Sequence, residues 1–270
     1  MTRLTTYPTR IPPPAEGRPR RLALMFQSAD HPVIARVFEL LRHEDYSQNL
    51  LISGPSGCGK DTLACLIAAR RCCPDAATDA VDACGYCELC SRIFSGRGVP
   101  DSAFYKVSAA NEDWWDRLSE IAQTVNSITN VHLGNPRPLP PVFTVDEVHV
   151  LGKANQTRLA NLIEGHPACF VLTTSEPEAL IVPLVTRCEQ LDIGQLSEQA
   201  FCRGFGRLLA AHHIDFDSSV PRLFHLAAGG SVREAIQKAS TLSASGKSYW
   251  DEALVRGHLN LGKRHRPPIL

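Results

Sequence analysis

The residues most able to do chemistry form a glycine-rich loop between a short apolar run and a stretch with helical spacing. The loop reads Gly54-Pro55-Ser56-Gly57-Cys58-Gly59-Lys60-Asp61-Thr62. Glycines allow the backbone to curl so that successive N–H groups point at one anion, and the positive end of the following helix points the same way. Lys60 can reach the outer phosphates of a nucleotide. The pattern therefore predicts a P-loop that binds ATP.

One residue of this loop departs from the P-loop pattern. The position after the lysine normally carries Ser or Thr, whose hydroxyl binds Mg²⁺, but here it is Asp61. A carboxylate beside phosphate oxygens repels them unless a cation lies between, although Asp is itself a ligand for Mg²⁺. Thr62 does not replace it, because one helical step rotates a side chain by about 100°. Three outcomes stay open: altered Mg²⁺ coordination with activity kept, binding without turnover, or weak binding.

A second acidic feature follows later in the chain. The apolar run 142–145 ends in Asp146 and Glu147. A continuous apolar run indicates a strand that is buried on both faces, as in a parallel sheet. Asp146 at its end can hold Mg²⁺, and Glu147 can orient and polarise an attacking water. Together with the P-loop, this pair predicts an ATP site.

A cysteine cluster lies between these two features. The chain has ten cysteines, and Cys84, Cys87 and Cys90 form a C-x-x-C-x-x-C motif. Cys73 offers a fourth thiolate, although the sequence barely separates it from Cys72. Four thiolates match the tetrahedral geometry that structural Zn²⁺ prefers, whereas free thiols or an iron–sulfur cluster remain alternatives.

These groups need an α/β scaffold to bring them together. Short apolar runs at 50–53, 142–146, 169–174 and 189–193 alternate with segments of helical periodicity at 31–42, 62–71, 114–125 and 154–164. This alternation predicts a parallel sheet between helices. After Gly194, helical periodicity covers 197–212, 218–228, 231–243 and 250–259, and no strand is predicted there.

The domain organisation follows from this change of character. We expect a flexible tail over residues 1–21, a nucleotide-binding domain over 22–193 with a zinc module at 73–90, a helical lid over 194–260 and a basic tail over 261–270. The chain carries 28 acidic and 28 basic residues, which gives no overall attraction to nucleic acid or membrane. No apolar run reaches the roughly 20 residues of a membrane span, and no secretory signal is evident. We therefore expect a cytoplasmic protein.

The order of motifs carries a family resemblance. The P-loop and the cysteine module are followed by three further motifs, 145–149 (VDEVH), 172–177 (LTTSEP) and 186–188 (TRC), and then by 230–235 (GSVREA). This order resembles the ATPase subunits of bacterial DNA polymerase III sliding-clamp loaders, the tau/gamma family, and less closely the delta-prime subunit. The resemblance covers roughly residues 22–260. It implies an AAA+ ATPase domain followed by a small helical lid.

The resemblance also implies roles for individual residues. Lys60 would bind phosphate, Asp146 would serve Mg²⁺, and Glu147 would activate water. Asp61 departs from the family pattern, so its role as a second Mg²⁺ ligand is expected from carboxylate chemistry alone. Thr174 or Ser175 matches the sensor-1 position, which reports on the γ-phosphate.

Two arginines complete the site that the family implies. Arg187 would reach into the ATP site of a neighbouring subunit, where a guanidinium stabilises transition-state charge. Arg233 matches the sensor-2 arginine of the lid. The implied partners are other clamp-loader subunits, a sliding clamp and primer–template DNA, which such rings contact without sequence preference.

The chain also ends soon after the predicted lid, whereas family members usually carry a third, helical collar domain that holds a ring of five together. We therefore do not expect a stable homopentamer, and assembly would need partners, DNA or clamp. Two alternatives to an active clamp-loader ATPase stay open. One is a non-hydrolysing structural subunit like delta-prime, and the other is a nucleotide-gated adaptor with no clamp to load.

Overall fold

The computed structural model describes residues 10–13, 19–27, 31–42, 48–76, 80–95, 104–128 and 141–261. The chain divides into two compact units. The first, here called the sheet unit, comprises Arg18–Met25 and Ala29–Gln195, and the second, the helical unit, comprises Met1–Gly17, Phe26–Ser28 and Leu196–Leu270.

The sheet unit is built on five parallel strands in the order β2-β3-β4-β1-β5. The strands are β1 (Leu50–Ser53), β2 (Phe104–Ser108), β3 (Val142–Asp146), β4 (Cys169–Thr174) and β5 (Glu189–Asp192). Its helices are α1 (Pro32–Arg42), α2 (Lys60–Cys72), α3 (Glu88–Phe94), α4 (Trp114–Ile128), α5 (Lys153–Gly165) and α6 (Val182–Val185). The predicted parallel sheet between helices is confirmed.

Each face of the sheet has its own apolar core. Leu50 and Val171 lie on the face that packs against α1, α2 and α3, whereas Leu51 and Phe170 lie on the face that packs against α4 and α5. Successive side chains of a strand point to opposite faces, so β1 and β4 need apolar residues at nearly every position. This is the physical reason for the continuous apolar runs in the sequence.

Three elements of the sheet unit are not predicted from the sequence. β2 pairs only with β3 at the edge of the sheet and carries Lys106 at its centre, so it has no continuous apolar run. α3 lies inside the cysteine module, and α6 has only four residues. Elements this short carry too few periods for a sequence pattern to reveal them.

The helical unit contains α7 (Glu198–Ala211), α8 (Val220–Ala227), α9 (Val232–Ser243) and α10 (Glu252–His258), which confirms the helical C-terminal region. Two of the predicted helix starts have side-chain caps. Ser197 Oγ accepts from Ala200 N–H at 3.2 Å, and Ser231 Oγ accepts from Glu234 N–H at 3.3 Å. The expectation of no strand is wrong, because β6 (Asp215–Phe216) pairs in parallel with β7 (Tyr249–Trp250).

Part of the predicted flexible tail lies in ordered surroundings. Ile11 is fully buried in the core of the helical unit, and its N–H donates to Ser243 Oγ at 3.0 Å. Residues 262–270 of the predicted basic tail lie outside the described residues. In the described part of the chain, no helix combines the length and apolar character that a membrane span requires.

Candidate functional site

The glycine-rich loop connects the end of β1 to the start of α2. Gly54 and Gly59 have φ values of 149° and 110°, which L side chains rarely adopt. A Cβ on Gly54 would also come within 3.0 Å of Cys58 Sγ. Pro55 and Ser56 are exposed at the tip, and Gly57 also has a positive φ. The loop is therefore curled as a P-loop requires.

Lys60 is the first residue of α2 and is almost fully buried, with 5 % of its surface exposed. Its Nζ donates to the carbonyl oxygens of Gly54 at 2.8 Å and Pro55 at 3.1 Å. The ammonium group thus lies over the loop that it would serve. An anion bound to the loop would compete with these carbonyls for the same donor.

Asp61, the departure from the P-loop pattern, forms an ion pair with Lys106 of β2. The two side chains are only 15 % and 23 % exposed, respectively. Screening by water and salt is weaker for partly buried charges than at the surface. The carboxylate beside the P-loop therefore has a fixed counter-charge, which the sequence did not reveal. Thr62 follows it in α2 and is partly buried.

Asp146 lies at the carboxyl end of β3, and its carboxylate accepts a hydrogen bond from Thr173 Oγ1 of β4. Since β4 lies between β3 and β1, the P-loop and Asp146 flank the end of one strand. Two strand spacings separate them, a distance of about 10 Å. This arrangement places the predicted phosphate-binding and acidic residues at the same edge of the sheet.

Glu147 directly follows β3 and adopts a left-handed conformation, with φ 59° and ψ 44°. Such a backbone is rare for a residue with a side chain and often occurs at functional sites. Its N–H donates to Thr173 Oγ1 at 3.3 Å, and Ser175 Oγ donates to its carboxylate at 3.4 Å. The carboxylate also lies 3.3 Å from His149 Nε2.

His149 links Glu147 to the two predicted sensor-1 candidates. Its Nδ1 lies 3.3 Å from Thr174 Oγ1, and its Nε2 lies 3.3 Å from Ser175 Oγ. Thr174 is fully buried and also accepts from Glu176 N–H at 3.1 Å. Of the two candidates, Ser175 is therefore the one that contacts the glutamate.

Three residues of this site were missed by sequence reasoning: Lys106, His149 and Thr173. Lys106 had no signal in the sequence, because it lies in a mixed segment that also contains Ser108. His149 lies two residues after Glu147 in the same motif, and Thr173 precedes the sensor-1 pair, so both were within patterns already noted.

Each of the two predicted arginines is described within the unit to which it belongs. Arg187 follows α6, and its recorded partners are Glu164 of α5 and the Pro183 carbonyl, with Nη1 donating to the latter at 2.7 Å. Arg233 is exposed near the start of α9 in the helical unit.

The residues of the site are well suited to bind a phosphate chain. Of the two predicted Mg²⁺ ligands, only one is suited to bind the ion. The P-loop amides and Lys60 suit phosphate oxygens, and Asp146 offers a carboxylate of the kind that Mg²⁺ binds. The Asp61 carboxylate, in contrast, is already neutralised by Lys106. Burial raises the pKa of the Cys58 thiol, so this loop residue stays uncharged and adds no repulsion to phosphate.

The four predicted cysteines of the module come together. The Sγ atoms of Cys73, Cys84, Cys87 and Cys90 all lie within 4.8 Å of one another. Cys73 and Cys87 are 4.0 Å apart, and Cys84 and Cys90 are 3.8 Å apart. A tetrahedral ion with metal–sulfur bonds of about 2.3 Å requires sulfur atoms about 3.8 Å apart. The cluster therefore has the size and donor set of a four-thiolate metal site.

The surroundings of the cluster favour thiolates at some positions. Burial raises the pKa of Cys84, but N–H donors from Cys87 and Tyr86 outweigh it and lower that pKa to about 7. Burial raises the pKa of Cys73 and of Cys90. A metal would therefore have to displace protons from these two thiols. Coordination of a cation by cysteine sulfur releases such protons.

The structure separates Cys73 from Cys72. Cys73 contributes its sulfur to the cluster, whereas Cys72 is the last residue of α2 and is buried in apolar surroundings. Burial raises the pKa of the Cys72 thiol to about 12. The choice of Cys73 as the fourth member of the cluster is consistent with this geometry.

The segment that precedes α1 contacts the cysteine module. Arg20 Nη1 donates to the Gly85 carbonyl at 2.7 Å, and its guanidinium lies 5.9 Å from the centre of the Phe94 ring. Leu22 N–H donates to Asp82 at 2.8 Å. The module is thus tied to the sheet unit by contacts beyond its own cysteines.

Comparison with known proteins supports the clamp-loader resemblance. The sequence model of the family described as DNA polymerase III, delta subunit, matches residues 30–197. The DNA polymerase III subunit tau of Salmonella typhimurium is 29% identical over 198 residues, which cover 73% of this chain and 29% of that protein. Subunit tau of Bacillus subtilis is 25% identical over 231 residues, covering 83% of this chain and 39% of that protein. The chain therefore spans well under half the length of these relatives.

A solved structure shares the fold. The Holliday junction branch migration motor RuvB of Thermotoga maritima superposes with a TM-score of 0.61 at 16% identity. The match covers 90% of this chain and 72% of that one. Together with the five-stranded parallel sheet, this likeness shows that the chain has the predicted AAA+ P-loop fold.

Proposed function

This chain belongs to the family described as DNA polymerase III, delta subunit, and from that membership we propose that it is a clamp-loader-type subunit that binds ATP. The observation that carries the proposal is the curled P-loop, with Lys60 over it, at the same sheet edge as Asp146 and Glu147. ATP binding in this site would let the chain take part in loading a sliding clamp onto primer–template DNA. Other clamp-loader subunits are the proposed partners.

Each residue of the site has a proposed task. The amides of residues 54–59 and Lys60 hold the phosphates, and Asp146 would hold Mg²⁺, which when bound neutralises charge on the phosphate oxygens. Glu147 orients an attacking water. Ser175 and His149 hold the Glu147 carboxylate in place through the contacts described above.

The cysteine cluster is proposed to hold Zn²⁺ as a structural ion. Four thiolates fill a tetrahedral site and leave no open position for a substrate, which is typical of structural rather than catalytic zinc. Cys73 and Cys90 belong to the same apolar core as α1 and α2, so zinc would stabilise the side of the sheet that supports the P-loop.

ATP-dependent capture of a sliding clamp tests the proposed function. The sliding clamp of the same replication system is immobilised, and the chain is applied with its proposed partner subunits, with and without ATP. Retention that depends on ATP is expected of a clamp-loader subunit. ATP binding by the chain without any clamp capture would instead indicate a nucleotide-gated adaptor.

Arg187→Ala is expected to reduce the ATPase rate of an assembled complex by about 1,000-fold at the ATP site that this arginine enters. This value is the lower end of the range for an arginine that acts in trans. The ATP affinity of the isolated chain should be unchanged, because the recorded partners of Arg187 lie on α5 and α6. Single-turnover ATPase assays of the complex and ATP titration of the single chain measure the two effects. A loss of ATP affinity in the single chain would contradict the role in trans.

A non-hydrolysing structural subunit is the second candidate, and the Asp61–Lys106 ion pair favours it. In this case the chain would bind ATP weakly or without turnover and would serve a neighbour through Arg187. Single-turnover assays on the chain alone and with partners separate the two candidates.

Asp61→Thr is expected to raise the ATPase rate in the presence of Mg²⁺. The change restores the hydroxyl at the metal-binding position and removes a carboxylate beside the phosphates. A gain of about tenfold corresponds to a barrier lowered by roughly 1.4 kcal/mol. An unchanged rate would show that Asp61 does not impair turnover.

A further inference from the structure

On the premise that the proposed nucleotide site exists, we propose that Lys106 supplies, beside Asp61, the positive charge that ATP binding at the P-loop otherwise takes from a divalent cation, so that the Mg²⁺ proposed at Asp146 is needed for turnover and not for affinity. The ammonium group of Lys106 would supply the positive charge that Mg²⁺ supplies where Ser or Thr follows the lysine of the loop. The consequence is that this chain binds ATP equally well with and without Mg²⁺.

Lys106 lies beside the P-loop residue that normally binds the cation. In the P-loop pattern, the side chain that follows the lysine binds the cation, and here that side chain is Asp61. Lys106 Nζ contacts the Asp61 carboxylate directly. The ammonium group therefore lies where a cation bound to this position of the loop would lie.

The sheet explains why Lys106 reaches this place. Lys106 is the register partner of Thr144 on β3, two residues before Asp146. Phe104 and Val142, two residues earlier on the same strands, pack in the core that includes α2. Because alternate residues of a strand share a face, Lys106 points to the side of the sheet where α2 begins.

The charges of the site are consistent with this role. An isolated Asp61 would repel a triphosphate, but its ion pair with Lys106 is neutral overall. Lys60 and the loop amides then remain as uncompensated positive charge facing the phosphates. The ammonium group of Lys106 has three N–H donors, so it can contact Asp61 and a phosphate oxygen at the same time.

The same ion pair disfavours Mg²⁺ at Asp61. A Ser or Thr hydroxyl is a neutral ligand that is free to bind the ion. The Asp61 carboxylate would first have to give up its contact with Lys106, and two cations would then lie next to each other in a partly buried site. Asp61 and Lys106 therefore act as a pair, which replaces the hydroxyl of the usual P-loop and the cation bound to it.

ATP titration of the full chain in Mg²⁺ and in EDTA tests the proposal. The affinities of the wild-type chain for ATP in the two buffers are expected to agree to within about threefold. This corresponds to a small difference in binding free energy. Lys106→Ala is expected to lose about tenfold or more in ATP affinity in EDTA, because one charge-assisted contact is gone and the Asp61 carboxylate no longer has an ammonium group beside it. Mg²⁺ should restore part of this loss by bridging Asp61 and the phosphates.

Two further variants serve as controls. Asp61→Thr/Lys106→Ala has a conventional loop without the ammonium group, so its ATP affinity should require Mg²⁺. This variant removes both charges of the ion pair, so it leaves no net charge change in the partly buried site. Lys247→Ala removes one lysine from an exposed loop of the helical unit and should behave as wild type in both buffers. Thermal denaturation of each variant verifies that it is folded.

The outcomes separate this inference from the function on which it rests. A wild-type affinity that falls tenfold or more in EDTA would overturn the role of Lys106 and leave the nucleotide site standing. Lys106→Ala binding ATP in EDTA as tightly as wild type would do the same. Absence of ATP binding in both buffers would overturn the nucleotide site and the inference together.

Discussion

Lys60→Ala is expected to lower the affinity for ATP by about 100-fold, the effect of removing charge-assisted hydrogen bonds of roughly 1.5–3 kcal/mol each. Lys60 is the buried cation whose Nζ already lies over the P-loop, within hydrogen-bond distance of the Gly54 and Pro55 carbonyls. The variant keeps the loop amides but loses the ammonium group that would contact the outer phosphates. Isothermal titration with ATP measures the change.

The control for this experiment is Lys247→Ala, which removes the same charge from an exposed loop. Its affinity for ATP should equal that of the wild type. Both variants should keep cooperative thermal unfolding, because Lys60 contacts loop carbonyls that water can reach once the side chain is gone. If Lys60→Ala binds ATP as tightly as the wild type, the loop is not the phosphate site.

Cys73→Ala is expected to remove bound zinc and to destabilise the sheet unit strongly. Metal binding to isolated zinc modules contributes about 10–16 kcal/mol, which is as large as the whole stability of a typical domain. Cys73 and Cys90 lie in the same core as Leu63 and Ile67 of α2, so loss of the metal would loosen the helix that carries Lys60. Metal analysis and thermal denaturation measure the two effects.

The neighbouring residue provides a matched control. Cys72→Ala removes a thiol of the same size from the adjacent position, but its sulfur is not part of the cluster. This variant should keep one zinc ion per chain and lose only about 1 kcal/mol, as for a small buried deletion. Equal zinc contents in Cys72→Ala and Cys73→Ala would contradict the assignment of the fourth ligand.

Zinc retention should also depend on pH. Thiolates bind the ion, so protons compete with zinc as the pH falls. The pKa of Cys84 is lowered to about 7, so this thiol loses its proton more easily than Cys73 and Cys90, whose pKa values are raised by burial.

The strongest sequence patterns were those with a purely local cause. Strands buried on both faces, such as β1 and β4, need apolar side chains at nearly every position, and helix starts such as Ser197 and Ser231 need a capping hydroxyl. β2 gave no such signal, because an edge strand with Lys106 at its centre looks like any mixed segment. β6 and β7, with two residues each, have no period at all.

In the candidate site, too, some features follow from local sequence and others depend on the tertiary structure. The identity of the P-loop, the acidic end of β3 and the C-x-x-C-x-x-C motif follows from residue types at fixed spacing. The contact between Thr173 and Asp146 and the contacts of His149 with Glu147 and Ser175 depend on how neighbouring strands end. Spacing along the chain does not reveal such cross-strand contacts.

By itself, the sequence determined that this chain has a P-loop, a cysteine cluster and an α/β fold, because glycine conformation, ligand chemistry and side-chain periodicity are properties of short segments. Only the tertiary structure decided that Cys73 rather than Cys72 joins the cluster and that Lys106 pairs with Asp61. Asp61 and Lys106 are 45 positions apart in the chain, so their pairing depends on how α2 and β2 are placed in the fold. The cysteine cluster depends on the packing of α3 against α2. The charge of Asp61, the one unusual P-loop residue, is therefore balanced by a lysine on β2, the strand at the edge of the sheet.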